Sequence, residues 1–393
     1  MADQQLVRLL EELVSIPSVS PEYVENPAAA GEARIAVFLA DRLAASGFKV
    51  ELDEVQPGRP NLIASFGPDQ PRKTLLFEAH MDTVGVAGMS RPPFQAAFEG
   101  SLLYARGACD DKGPMAAALA ALSRDRLEKL AAAGVQIVFA GVMGEETGNI
   151  GAVRLVEKGL RADQIVVLEP TELSIIHTHK GMIWLRVEVG GLAAHGSNPD
   201  RGVNAITGMS DVMQFLHRRI AEDQRLRHDP VLGRPTLNIG MIRGGYAVNI
   251  VPDSCSIEAD RRTLPGEDEA AIIERIRGGL VELQGEGRIT SHSVRVIKVG
   301  RPFQTAENCS LIRALKQGIE QAGRKPRLEG AAWYSDAGIL SQIASEVVVF
   351  GPGSIKQAHT ADEHIDLDDL QAGCDIVRRF LDGMADGSRQ GEG

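Results

Sequence analysis

Two histidines and several carboxylates sit where apolar segments of the chain stop, and these residue types hold divalent cations and move protons. The run L-L-F-E-A-H-M-D (75–82) is an apolar strand that closes on H-x-D. A spacing of two puts His80 and Asp82 on one side of an extended backbone. His80 can then ligate a metal while the Asp82 carboxylate bonds its second ring nitrogen and fixes the tautomer. In G-A-C-D-D-K-G (107–113) a loop carrying Asp110 and Asp111 leads into a helix, and Asp110 can bridge two cations with its two oxygens. Paired acids at such a place also serve simply as a cap and a first-turn charge. V-M-G-E-E-T-G (142–148) ends a second apolar strand. Adjacent residues there project in different directions, so one of Glu145 and Glu146 can reach a cation while its neighbour faces the attacking water.

Glu169 in V-V-L-E-P-T (166–171) and His359 in G-P-G-S-I-K-Q-A-H-T-A-D-E (351–363) complete the set. Four of these five segments lie at or just after apolar strands, and the strand ends of open α/β sheets are where ligands bind. Acids gathered there would repel one another unless cations offset them. Mixed His and carboxylate donors without thiolate favour two divalent ions, zinc first, with cobalt or manganese as alternatives.

The elements that must position these residues follow from the pattern of the rest. The chain has 393 residues, 44% hydrophobic and 24% charged, which is globular composition and more than one small core needs. Its net charge of −11 and its few aromatics exclude a nucleic-acid binder, which needs clustered positive charge and stacking platforms. No segment reads as a membrane span or a secretory leader, and four scattered cysteines without a C-x-x-C pair fit a reducing compartment, the cytoplasm.

Apolar runs at 61–66, 74–80, 135–142 and 165–168 alternate with helical patterns at 28–45 and 112–133. That order predicts an α/β fold with a mostly parallel sheet sandwiched by helices. From about 181 the strands alternate in polarity (182–189, 236–242, 254–260) around helices at 204–220 and 268–283. This is the pattern of an antiparallel sheet with helices on one face. The expected organisation is a discontinuous catalytic domain, 1–180 and 291–393, with an inserted α+β lid or dimerisation domain over 181–290. Residues 367–384 read as a closing helix and the last nine as a frayed tail.

The ordered set H-x-D, G-A-x-D-D-K-G, G-E-E-x-G, E-P-T and the late A-H-T-A-D-E resembles the M20 family of metallopeptidases and amidohydrolases over nearly the whole chain. The resemblance implies one metal held by His80, Asp110 and Glu169 and another by Asp110, Glu146 and His359. It implies that Asp82 orients His80, that Glu145 is the general base and that a cis peptide follows Asp110. In A-A-H-G-S (193–197) it assigns His195 to the reacting carbonyl oxygen, often across a dimer interface. Asn249 and Arg262 match positions that bind a substrate carboxylate and nearby oxygens, a task suited to the planar donors of Arg. Ser335, Asp336 and Gly353 match substrate-side loops.

The expected activity is hydrolysis of the amide of an N-acyl amino acid with a free carboxylate, or of a dipeptide, by a homodimer joined through the inserted domain. Segments such as A-H-G-S-N-P-D-R-G-V-N-A-I look closest to the acetylornithine deacetylase branch. Y-S-D-A (334–337) replaces that branch's C-T-E-A and leaves desuccinylase, aminoacylase and dipeptidase activities open. A ligand-binding protein that turns nothing over is the rival from another class, but it would have no need of Glu145.

Overall fold

A computed structural model describes residues 2–24 and 31–387 of the chain. Contacts divide it into two compact units, Met1–His177 with Gln304–Glu329 and Ser335–Gly393, and Thr178–Phe303 with Gly330–Tyr334.

The larger unit is built on a mixed sheet in which Lys49–Gln56, Arg59–Phe66, Val135–Val142, Lys73–His80, Gln164–Val167 and Glu346–Val349 are successive neighbours, with Ile176 following beside Val349. The middle strands, 135–142, 73–80, 164–167 and 346–349, run parallel. The antiparallel pairs are confined to the margins. In 73–80 and 135–142 nearly every residue is buried, so both faces are covered, as continuous apolar runs require. Helix Gln4–Ser15 shows how the cover forms. Leu6, Leu9, Leu10 and Leu13 recur at helical spacing and are buried, and Asp3 caps the start by accepting the Gln5 N–H at 2.9 Å. The core joins these leucines to Phe77, Phe139 and Phe350 and to Leu370, Ile376 and Phe380 of the closing helix Leu367–Gly387.

Two helical expectations change in detail. The pattern at 112–133 forms two helices, Lys112–Ala121 and Arg124–Ala132. Ser123 is extended (φ −68°, ψ 150°) and interrupts the ladder, and Arg126 Nη1 caps the first helix by donating to Ala121 O at 2.7 Å. Of the helix expected at 28–45, the part Ala33–Ala45 is helical, and 28–30 lie outside the described residues. The tail expected to fray begins inside the closing helix, and 388–393 again lie outside.

The smaller unit is a four-stranded antiparallel sheet in the order Thr236–Gly244, Ser254–Thr263, Gly181–Gly190, Ser291–Gly300. One face, with Ile183, Leu185, Val187, Cys255 and Ile257, packs on Met209, Val212 and Phe215 of helix Ala205–Leu226 and on Ile276 and Leu280 of helix Glu269–Gly285. A Cβ on Gly279 would stand 2.0 Å from Phe215 Cζ, so only glycine lets the two helices approach this closely. The unit runs past the expected boundary at 290 because strand Ser291–Gly300 pairs with Gly181–Gly190 from Ser291↔Gly190 to Gly300↔Met182. Among the described residues no helix is long and apolar enough to cross a membrane.

Candidate metal centre

Parallel strands Lys73–His80 and Gln164–Val167 are neighbours, paired up to Glu78↔Val167, and His80 and Glu169 follow at their carboxyl ends. The ladder therefore delivers an imidazole and a carboxylate to one place. The loop before helix Lys112–Ala121 adds Asp110, whose peptide bond to Asp111 is cis. Strand Val135–Val142 leads into Glu145 and Glu146.

Ligand atoms of His80, Asp110 and Glu169 lie within 4.8 Å of one another, and so do those of Asp110, Glu146 and His359. His80 Nε2 is 2.9 Å from Asp110 Oδ1, while His359 Nε2 is 3.4 Å from Asp110 Oδ2 and 3.0 Å from Glu146 Oε2. Asp110 thus faces a different histidine with each oxygen. The donor set fits divalent cations: it mixes imidazole and carboxylate, it shares one acid, and Glu146 Oε1 is buried without a hydrogen-bond partner among the described residues. The nearby thiol is turned elsewhere, with Cys109 Sγ donating to Ser354 O at 3.3 Å.

Electrostatics express the same crowding. Burial alone would lower the His80 imidazolium, but the bonded Asp110 and Asp82 hold it well above the ordinary value. Asp110 and Glu146 raise His359 to about 10. Burial opposes ionisation of Asp110, yet the two histidines keep its carboxyl below the usual range. Burial and then the Asp110 charge push Glu169 well above its usual value. Without cations, protons supply the positive charge that the acids demand.

Asp82 meets His80 mainly through its main chain. His80 Nδ1 donates to the Asp82 main-chain carbonyl at 2.9 Å, and the carboxylate Oδ1 is farther, at 3.6 Å. A carbonyl only accepts, so Nδ1 carries the proton and the Nε2 lone pair is left for a cation. The Asp82 carboxylate instead accepts from Ser20 Oγ at 2.5 Å and from the Glu145 and Glu146 N–H groups at 3.0 and 3.2 Å. It fixes the backbone of the G-E-E loop.

Glu145 is held from the other side. Asn149, in the left-handed region at φ 56°, donates through Nδ2 to Glu145 Oε1 at 2.9 Å and to Asp336 Oδ1 at 2.8 Å. Ser335 and Asp336, expected to meet substrate, are both buried, and Asp336 reaches Glu145 through Asn149. Gly353 takes φ 89°, and a Cβ there would lie 2.8 Å from Cys109 Sγ.

The other expected site residues belong to the smaller unit. His195 lies on an exposed loop bridged to Ile250, and Gly196 N–H donates to Asn249 O at 2.8 Å, so these two segments sit together. Ser197 N–H donates to His195 Nδ1 at 3.2 Å, which puts the proton of the neutral ring on Nε2. Arg262 Nε donates to Asp260 Oδ2 at 2.9 Å on one face of their strand, while Arg261 is buried on the other with Glu267 and Asp223. Sequence reasoning missed Ser20, Asn149, Arg106 and Glu363. Glu363 closes the quoted A-H-T-A-D-E motif and Asn149 follows G-E-E-T-G directly, whereas Ser20 carries no local signal at all.

A model of peptidase family M20/M25/M40 matches residues 76–383. An acetylornithine deacetylase of Myxococcus xanthus is 33% identical over 346 residues, 84% of this chain and 86% of that protein. A tripeptidase from Staphylococcus aureus superposes with a TM-score of 0.78 at 24% identity, covering 98% of this chain and 100% of its own. An M20 metallo-carboxypeptidase from Sulfolobus solfataricus gives 0.79 at 21% identity, with coverage of 98% and 100%. At these identities the two structures speak to the fold.

Proposed function

Since the chain belongs to peptidase family M20/M25/M40 and is a metal-dependent amidohydrolase, we propose that it hydrolyses the amide bond of an N-acyl amino acid with a free carboxylate, in the manner of N-acetylornithine deacetylation. The observation that carries this reading is one acid, Asp110, shared by two donor groups with Glu145 beside them. His80, Asp110 and Glu169 would hold one cation, zinc or cobalt, and Asp110, Glu146 and His359 the other. Bound there, such ions acidify water and polarise a carbonyl.

The chain's own groups do the rest. Glu145, steadied by the Asn149 amide on Oε1, takes a proton from the attacking water and passes it to the leaving amine. His195, with its proton on Nε2, donates to the oxygen that becomes an oxyanion. Arg262 keeps its terminal nitrogens for the substrate carboxylate while Asp260 holds its Nε, and Asn249 serves neighbouring oxygens. Gly353 leaves room on the substrate side. Because Asp336 meets Asn149, the change from C-T-E-A to Y-S-D-A alters the surroundings of Glu145 as well as those of the acyl group.

A homodimer formed through the smaller unit suits the open edge of strand Thr236–Gly244, where Met241 and Ile242 are exposed near Tyr246 and Val248. Light scattering tests that assignment. Four unpaired cysteines support residence in the cytoplasm. The activity is tested by a screen of the zinc- and cobalt-loaded protein over N-acetyl, N-succinyl and dipeptide substrates. The proposal expects turnover of an N-acetyl amino acid. Preference for succinyl amides or dipeptides would move the assignment to those branches, and loaded protein inert on all would replace the enzyme by a binding protein.

A further inference from the structure

Glu363 is almost fully buried and spends both carboxylate oxygens on one short stretch of chain. Its Oε1 accepts the N–H groups of Cys109 at 2.9 Å and Asp110 at 3.1 Å. Its Oε2 accepts Gly107 N–H at 3.0 Å and Arg106 Nη1 at 2.6 Å. Arg106 is equally buried, so the ion pair neutralises both charges where water does not reach.

All four donors belong to the loop that carries Asp110, and Glu363 itself stands four residues after His359. Strand His364–Asp366 pairs with Leu102–Tyr104, His364 opposite Tyr104, which places Glu363 beside Arg106. The carboxylate is thus a clamp between the segment bearing the shared acid and the segment bearing the exposed histidine. His80 and Glu169 arrive on sheet strands and need no such clamp.

Resting on the metal-centre reading, we propose that Glu363 is a positioning residue that sets the spacing of Asp110 and His359, and with it the affinity of the second cation position relative to the first. Only a carboxylate fits this nest. An amide in place of Glu363 would turn its NH2 toward two of the four donors whichever way it lay.

The test is a stepwise zinc titration of full-length wild type and Glu363→Gln against a chromophoric chelator, with kcat and KM of the loaded proteins and thermal melts of the metal-free ones. Wild type should bind two zinc ions. Glu363→Gln should weaken the looser of the two about 10–100-fold, as loss of an outer partner does, with the tighter one changed much less. Its kcat should fall while KM holds. Equal weakening of both ions together with a lowered melting temperature would mark Glu363 as merely structural and overturn the proposal, as would unchanged affinities. If Glu363→Gln does not fold, Glu363→Asp, which keeps the charge but withdraws it by one methylene, should show the same split in smaller measure, and wild-type affinities in it overturn the proposal. A wild type that binds no zinc would sink the metal-centre reading itself, whereas two ions held equally well with and without Glu363 would sink only the clamp.

Discussion

The two donor groups share Asp110 but stand on different footings. His80 and Glu169 follow paired parallel strands and are buried, so the hydrogen-bond ladder that builds the sheet also aims them. His359 has a side chain 55% exposed and a left-handed backbone at φ 62°, on a loop tied down by distant partners. One half of the centre is a by-product of the core. The other half is assembled from a loop and must be held by dedicated contacts such as Glu363 on the 107–110 backbone. A centre built this way should have one stiff and one adjustable position.

The largest expected effect separates both halves from the chemistry. Glu145→Gln should lower kcat about 10²–10⁴-fold, the usual contribution of a positioned proton carrier, while elemental analysis finds the metal content of wild type. Turnover near wild type would remove Glu145 from its role and leave the two halves without a base between them. Next in size is the contrast between histidines. His359→Ala should drop bound metal toward one ion per chain, whereas His80→Ala should depress both ions, because Asp110 then loses the ring that faces its Oδ1. Equal losses in the two variants would erase the distinction.

A smaller effect concerns protons. His359 in the metal-free chain is raised to about 10, so near neutral pH a cation must displace its proton. Affinity at that position should climb with pH, about tenfold per unit for each proton displaced, until the pH approaches 10. Zinc titrations in buffers from pH 6.5 to 8.5 check this, and a flat profile would break it. The smallest effect is on stability. The folded value for His359 lies above its ordinary value of 6.5, so its contribution to the metal-free fold is complete below 6.5 and fades as pH rises toward 10. Melting temperatures of metal-free wild type should converge on those of His359→Ala over that window.

Much of the stiff half was legible in the sequence. An apolar run ending in H-x-D or in Glu-Pro is a strand that stops at a polar residue, and the period of the run says where it stops. The adjustable half was legible only as residue types. His359 follows a glycine-rich loop with no periodicity to place it, and what holds that loop lies some 250 positions away. Asp82 was read as the partner of His80 from spacing and from the resemblance, and it meets that ring chiefly through its main-chain carbonyl, while its carboxylate also accepts from Ser20 and from the Glu145 and Glu146 amides. No pattern along the chain announces a contact between segments so far apart. The break at Ser123 was missed for a different reason: hydrophobic periodicity continues across an N-cap residue, and only the backbone dihedrals show the interruption. The edge of the smaller unit was misplaced because strand Ser291–Gly300 has the same alternation as its neighbours but follows the second helix.

The Arg106–Glu363 pair closes a loop of 257 positions, and the central strand Glu346–Val349 slots between strands made far earlier in the chain. On a ribosome the 107–110 segment must therefore wait, its amides unbonded by their final acceptor, until Glu363 has emerged. Contacts this distant in sequence make for slow folding. The shared acid gains its final acceptor only once Glu363 has been made, so a chain stopped before His359 would carry His80, Asp110 and Glu169 yet lack both the second histidine and the carboxylate that holds the 107–110 backbone.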